Sequence, residues 1–310
     1  MECSEVQWTS FAFLSRSKVV VPTIGLRSGP LHCLMAIDFR MHPNTRTAFE
    51  DVHFDCTFDL PSVRSGGLVY RFDIQANPSP TWVPLTTEGD TAPFHTSSHD
   101  RIFLCTSMVG GNDEIGFLQL FVPSTTLLSH LSTISPSTGQ HLPWELWGPE
   151  GTRMRRAPRS HPASSFSRRV RFVSGMTYVA PFHHENGRRA GRTDTIQILN
   201  FNPIAIRHAV SKGQKRVDED GYAIVTRPTT VKLPEVFETG YIRTSLPFRW
   251  KSVNLPWEFS SVNVTEDGLV MHHGVWSTLP CGCALTDLEI NQNFIATDGE
   301  DVDEYRILAF

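Results

Sequence analysis

Strand-sized runs of β-branched and aromatic residues recur along the whole chain, each closed by Gly, Pro, Asn, Asp or Ser, and this leaves little room for long helices. The runs are Lys18 to Val21, Leu31 to Phe39, Val52 to Phe58, Leu68 to Ile74, Arg101 to Thr106, Gly116 to Val122, Arg169 to Val173 and Thr195 to Phe201. They continue with Ala223 to Thr226, Tyr241 to Ser245, Ser261 to Val264, Gly268 to His272 and Tyr305 to Phe310. The 21 prolines and 21 glycines are the punctuation: Pro removes a backbone donor, and Gly raises the entropic cost of ordering. Within Leu68–Ile74, Leu68, Tyr70, Phe72 and Ile74 alternate with Arg71 and Asp73, which predicts one buried and one wetted face. Ser124 to Ile134 is the best helical candidate, with a Ser/Thr-rich start and Leu127, Leu128 and Leu131 on one stripe. Ser65-Gly-Gly67 and Val109-Gly-Gly-Asn112 are expected to be hairpin turns.

This pattern predicts an all-β fold of many short antiparallel strands, with residues 1–310 forming a single β-rich, propeller-like region, whole or incomplete. At about forty residues per blade the length allows about seven blades, although no blade signature recurs. A pair of β-sandwiches is the alternative. The chain is 40% hydrophobic, and its 20 Phe and 7 Trp supply bulky groups for a core. A formal net charge of -4 gives no global attraction to phosphate backbones or anionic membranes.

Cys3, Cys33, Cys56, Cys105, Cys281 and Cys283 are scattered, unlike the dense framework of a small secreted domain, so reduced thiols are expected. The stretch from Met1 to Trp8 lacks the basic start and apolar run of a signal peptide, and no segment approaches twenty uninterrupted apolar residues. The expected setting is therefore cytoplasmic or nuclear, with no membrane partner. The sequon at Asn263 carries little weight in that setting.

Charge is unevenly spread. Arg153, Arg155, Arg156, Arg159, Arg168, Arg169 and Arg171 crowd one stretch, in which residues 157–167 are expected to form an exposed basic loop. Arg155, Arg156, Arg168 and Arg169 are the candidates for a basic contact surface. The C-terminal stretch is the opposite, with Asp287, Glu289, Asp298, Glu300, Asp301, Asp303 and Glu304 against Arg306. The two regions either pair within the fold or stay solvated, and solvation is the usual fate of such runs.

Catalytic and metal chemistry find no pattern. Cys281-Gly-Cys283 follows His272-His273, but adjacent and alternate ligands point apart in an extended strand, whereas a zinc knuckle wants pairs two to four residues apart. His183-His184 lies among Glu185, Arg188 and Arg189, as in a polar loop. There is no Gly-x-Ser-x-Gly elbow, and neither Gly-Gly turn has a phosphate-loop lysine. Paired carboxylates for glycoside cleavage are invisible to sequence spacing. The arginine-rich stretch lacks interleaved aromatics over most of its length, so nucleic acid is not an expected partner. No catalytic residue, metal or cofactor is assigned.

The string Leu142-Pro-Trp-Glu-Leu-Trp-Gly-Pro-Glu-Gly-Thr-Arg153 resembles the Pro-Trp-Glu-x-Trp-Gly-Pro-x-x-Thr-Arg segment of a large group of mushroom-type fungal F-box proteins. Looser likenesses follow at Trp8 to Leu14, Thr265 to Val270 and Asp303 to Phe310. In that family an F-box precedes a long β-rich region that selects substrates for a ubiquitin ligase. The resemblance implies a non-enzymatic protein-interaction module with an unknown protein partner. It implies a Skp1-type adaptor as partner only where an F-box stands upstream. No F-box pattern is visible here, since strand-like sequence begins almost at once after Trp8. The alternative function is a carbohydrate-active hydrolase or lectin on a propeller or sandwich.

The same string has its own physical reading. Pro143 fixes the entry, Gly148-Pro149 is expected to force a turn, and Trp144 and Trp147 are then held at a rigid corner leading to Arg153. An exposed corner is a recognition surface, because Trp and Arg dominate binding hot spots. A buried one is a structural plug between β elements, and the plug is the expectation.

Overall fold

The computed structural model describes residues 10–25, 32–41, 52–80, 100–111, 114–134, 139–157, 172–182, 195–213, 217–218, 221–254, 261–264, 268–273 and 304–309. They form nineteen strands, three α-helices and one short 3-10 turn, so the protein is mostly β.

The first sheet runs β1 (Ala12–Phe13), β2 (Lys18–Ile24), β3 (His32–Asp38) and β4 (Cys56–Asp59), all antiparallel, with β8 (Gln140–Leu142) added parallel to β4. Pro22 sits inside β2 without breaking it, because β1 pairs only as far as Val20 and leaves that side of β2 without a ladder. The second sheet orders β5 (Leu68–Gln75), β6 (Ile102–Gly111), β7 (Glu114–Pro123) and β9 (Arg153–Arg156). The third orders β10 (Val173–Ser174), β11 (Thr177–Phe182), β12 (Thr195–Asn200), β16 (Phe248–Asn254) and β13 (Ala223–Val225). A separate hairpin pairs β14 (Thr229–Lys232) with β15 (Tyr241–Thr244), and a last sheet holds β17 (Ser261–Val264), β18 (Gly268–His273) and β19 (Glu304–Ala309). Every described sheet is open, and the β4–β8 pair is the parallel one among them.

Two cores share the second sheet. One face of it, with Phe72, Ile74, Phe103, Cys105, Leu118 and Leu120, packs against Val20, Leu34, Ala36 and Phe58 of the first sheet. The opposite face, with Ile102, Leu104 and Phe121, packs against Tyr178, Ala180 and Leu199 of the third, with Phe172 and Phe201 beside them. Alternation along each strand thus feeds both faces of one layer.

The helices are α1 (Ser124–Thr133), α2 (Trp144–Gly151) and α3 (Pro203–Ser211). α1 falls on the expected segment, with Leu127 buried. α3 has a plain sequence signature: Asn202 accepts from the amides of Ile204 and Ala205, and Pro203 stands at the first helical position.

Several expectations are corrected. In β5 the register slips between Val69 and Arg71, so Tyr70 is an extra residue; Leu68 and Tyr70 are exposed, and Asp73 is buried beside Phe72 and Ile74. In the expected run Val52 to Phe58, residues 52–54 are irregular, and the strand, Cys56–Asp59, takes in only the end of the run. Val109–Gly111 does lead into a tight hairpin, with Gly111 opposite Glu114. Ser65–Gly67 does not, because Val63 bridges to the distant Phe237 and β5 pairs with β6. Of the run Arg169 to Val173, the strand starts at Val173, and residues 169–171 lie outside the described residues. Residues 158–167 of the expected basic loop also lie outside them.

Candidate interaction surfaces

Gly148 and Pro149 do not turn the chain; they continue α2, which starts from the extended Pro143 and ends at Thr152. A proline late in so short a helix forfeits a single backbone bond, and its own carbonyl is used, accepting from the Ser245 amide at 2.8 Å and its hydroxyl at 3.1 Å. Trp144 and Trp147 lie one helical turn apart and point into the core, 7% and 2% exposed. Their rings meet edge to face at 5.3 Å, Trp147 meets Phe58 at 5.4 Å, and its indole N–H donates to the Asp59 carbonyl at 2.9 Å. The two indoles are therefore core residues and offer no contact surface.

Arg153 is 1% exposed and is held by main-chain carbonyls. Its Nε donates to Leu246 O at 2.6 Å, and Nη1 donates to Arg227 O at 3.1 Å, Thr229 Oγ1 at 2.9 Å and Thr244 O at 3.3 Å. The guanidinium also lies over the Phe248 ring at 5.0 Å. Burial lowers its pKa to about 10, which leaves it cationic at neutral pH. One buried cation thus fastens both legs of the β14–β15 hairpin to the second sheet, and Thr244 Oγ1 adds a bond from the Met154 amide at 2.9 Å.

The expected basic contact surface divides. Arg155 turns inward, donating from Nε to Gln119 Oε1 at 2.7 Å and lying over Phe121 and Tyr178 at 5.6 and 5.2 Å. Gln119 completes this layer by donating to the buried Tyr178 hydroxyl at 2.6 Å. Arg156, at the strand end, is exposed. Arg168 and Arg169 lie outside the described residues.

Two exposed clusters were missed by sequence reasoning. The first gathers Phe11, Phe13, Phe39 and Met41, which are 57%, 41%, 39% and 68% exposed. Phe13 meets Phe11 at 5.6 Å and Phe39 at 6.1 Å, both edge to face, and the Phe39 amide is tied to Ser17 O at 3.0 Å. Exposed Arg16 and Arg40 border the cluster, and Arg40 forks onto Asp38, whose carboxyl is thereby held down at about 2. The second is the outer face of the β14–β15 hairpin, where Thr230, Lys232, Tyr241 and Arg243 are all exposed. The alternation Thr-Thr-Val-Lys against Tyr-Ile-Arg-Thr was the available signal.

No family model, curated protein or solved structure matches this chain. Its surfaces must therefore be judged by their own chemistry. Two carboxylates meet at Asp38 and Asp55, yet both sit on the Lys18 ammonium, and a low Asp38 pKa is the reverse of what a glycosidase acid requires. Thr57, Asp59 and His141 form a small polar group beside Trp147, with His141 Nδ1 at 2.7 Å from Thr57 Oγ1 and 4.0 Å from Asp59. Burial raises the Asp59 pKa. Among the described residues no three His, Cys, Asp or Glu side chains are placed to hold a metal ion, and no helix is long and apolar enough to cross a membrane.

Proposed function

We propose that this chain is a non-enzymatic protein-interaction module, similar to the substrate-recognition region of F-box ubiquitin-ligase adaptors. The observation that carries the reading is the exposed cluster of Phe11, Phe13, Phe39 and Met41 with its flanking arginines. Aromatic residues, Met and Arg are the types enriched where proteins bind one another, and a contiguous exposed apolar patch on a folded scaffold marks such sites. The Leu142–Arg153 string supports the family reading, since its indoles and arginine hold elements together as a shared architectural part would. A propeller-like plan is supported by the layering of the sheets, the second packed between the first and third as neighbouring blades pack.

The test is affinity capture from the source cells with the whole chain, followed by reconstitution of a binary complex from purified proteins. A Phe13→Ser, Phe39→Ser variant with an unchanged melting temperature is expected to lose that complex. Retention of the complex in this variant would overturn the assignment of the patch. Turnover of a glycan by the purified chain would overturn the module.

A further inference from the structure

We propose that the outer face of the β14–β15 hairpin is a second interaction surface, which takes an acidic peptide segment of a partner protein in extended form, with its carboxylates on Lys232 and Arg243. The register places Thr230 opposite Arg243 and Lys232 opposite Tyr241, so the two cations stand on one diagonal of a four-residue face. All four side chains are exposed, while Val231 and Ile242 between them, and Thr244 beyond Arg243, are buried. Diagonal neighbours on an antiparallel pair are about 7–8 Å apart. In an extended peptide, side chains on one face recur every two residues, about 6.8 Å apart. A Glu-x-Glu strand therefore matches the spacing of the two cations, with both carboxylates on the side that faces the hairpin.

Charge supports the same occupant. The face holds two cations and no acidic side chain, and among the described residues neither Lys232 nor Arg243 has an ion-pair partner. Two like charges on one face are mildly unfavourable until an anion joins them. Nucleic acid is the weaker fit, because its affinity grows with each phosphate neutralised and this face offers two cations.

The platform is also fixed in advance. Arg153 clamps its open end at Thr229 and Thr244. Its loop end lies against the segment that leads into β5, where Arg64 N donates to Val236 O at 2.9 Å and Glu238 N to Ser62 O at 3.1 Å. A Cβ on Gly111 would stand 2.4 Å from Glu235 O, and one on Gly67 would stand 2.7 Å from Val236 O, so the contact is close on both sides. A preformed face gives up little conformational freedom on binding.

Fluorescence anisotropy of a labelled peptide alternating Glu and Thr, titrated with the whole chain, tests the proposal. Binding that weakens with salt is expected, together with loss for the Gln-for-Glu peptide and about tenfold weaker binding to Lys232→Gln, Arg243→Gln. Should that double variant melt lower than the parent, Lys232→Gln alone at the exposed end of β14 gives the same reading. No binding of the Glu peptide, or equal binding of the Gln peptide, overturns the proposal. So does an oligothymidylate that binds as tightly and is lost in the same variant, which would assign the face to nucleic acid. Because the face shares no residue with the phenylalanine cluster, failure here leaves a complex made through Phe13 and Phe39 intact.

Discussion

A Cβ built on Gly148 would stand 2.1 Å from the Trp144 ring. The ring has little room to yield, since Trp147 closes on it edge to face at 5.3 Å and both indoles are buried. Two effects then compete in Gly148→Ala. Helix propensity favours Ala by about 0.8–1 kcal/mol, whereas overpacking a filled core costs about 1–3 kcal/mol. The steric effect wins here, and the melting temperature should fall by several degrees, while Leu146→Ala on the exposed side of the same helix leaves it nearly unchanged. A stabilised Gly148→Ala protein would show that the indoles can move apart.

Trp147→Ala is expected to be more severe, at about 3–5 kcal/mol, because it opens a cavity beside Phe58. Trp147→Phe should recover much of the packing but not the bond to the Asp59 carbonyl. Chemical denaturation of the two variants separates these contributions: a Phe variant as unstable as the Ala variant would place the larger share on the hydrogen bond.

The sequence exposed the β plan because period-2 alternation and turn residues are local signals, and most expected runs became strands. It misplaced those features whose cause lies elsewhere in the fold. Leu68–Ile74 reads as a clean alternation, and the extra residue at Tyr70 is visible only in its pairing with β6. Gly148-Pro149 reads as a turn, but tertiary bonds to Ser245 and the two buried indoles hold it helical. Arg153 and Arg155 read as a solvated run, yet one donates to carbonyls from residues 227–246 and the other to Gln119, partners too distant in sequence to be inferred. The exposed phenylalanines look like core residues in any sequence, whereas Asn202-Pro203 before α3 and the alternation of Thr229–Lys232 are local signals of elements that the strand runs leave out.

Replacing Arg153 with Met removes the clamp on the hairpin while keeping much of the stem. Three carbonyls and the Thr229 hydroxyl then lose their donor, and buried acceptors left unpaired cost about 1–3 kcal/mol each where water does not reach them. Amide exchange should quicken across β14 and β15 before it changes in β6 or β7. Arg153→Lys should rescue little of it, since a single ammonium cannot span donors aimed at both legs. Exchange unchanged at the hairpin would show that Val231 and Ile242 alone hold it.

The described thiols should resist alkylation in the folded protein. Burial pushes Cys33 up to about 11 and Cys56 up to about 12, and Cys105 is raised further still. At pH 8 the thiolate fraction of Cys33 is then about one part in a thousand, and the thiolate is the reactive form. Residue-resolved mass spectrometry after iodoacetamide treatment should find Cys56 and Cys105 labelled only as fast as their sheets open. Labelling at the rate of free cysteine would mean that these strands open readily.

His32 should make the protein acid-sensitive in a defined window. Its ring is buried against Phe72, and desolvation lowers its pKa from 6.5 to about 4. The folded state therefore prefers the neutral ring, whereas the unfolded chain takes up a proton near the ordinary value. Stability from this group is intact above pH 6.5, falls as pH drops toward 4, and loses about 3 kcal/mol in all, by linkage at about 1.36 kcal/mol per pKa unit. Asp38 acts lower: its carboxyl, held at about 2 by Arg40, adds stability that is lost only as pH falls below the ordinary carboxylate value toward 2. Denaturant midpoints measured between pH 7 and 4 should decline in the parent and flatten in His32→Leu. An equal decline in that variant would assign the acid sensitivity to other groups.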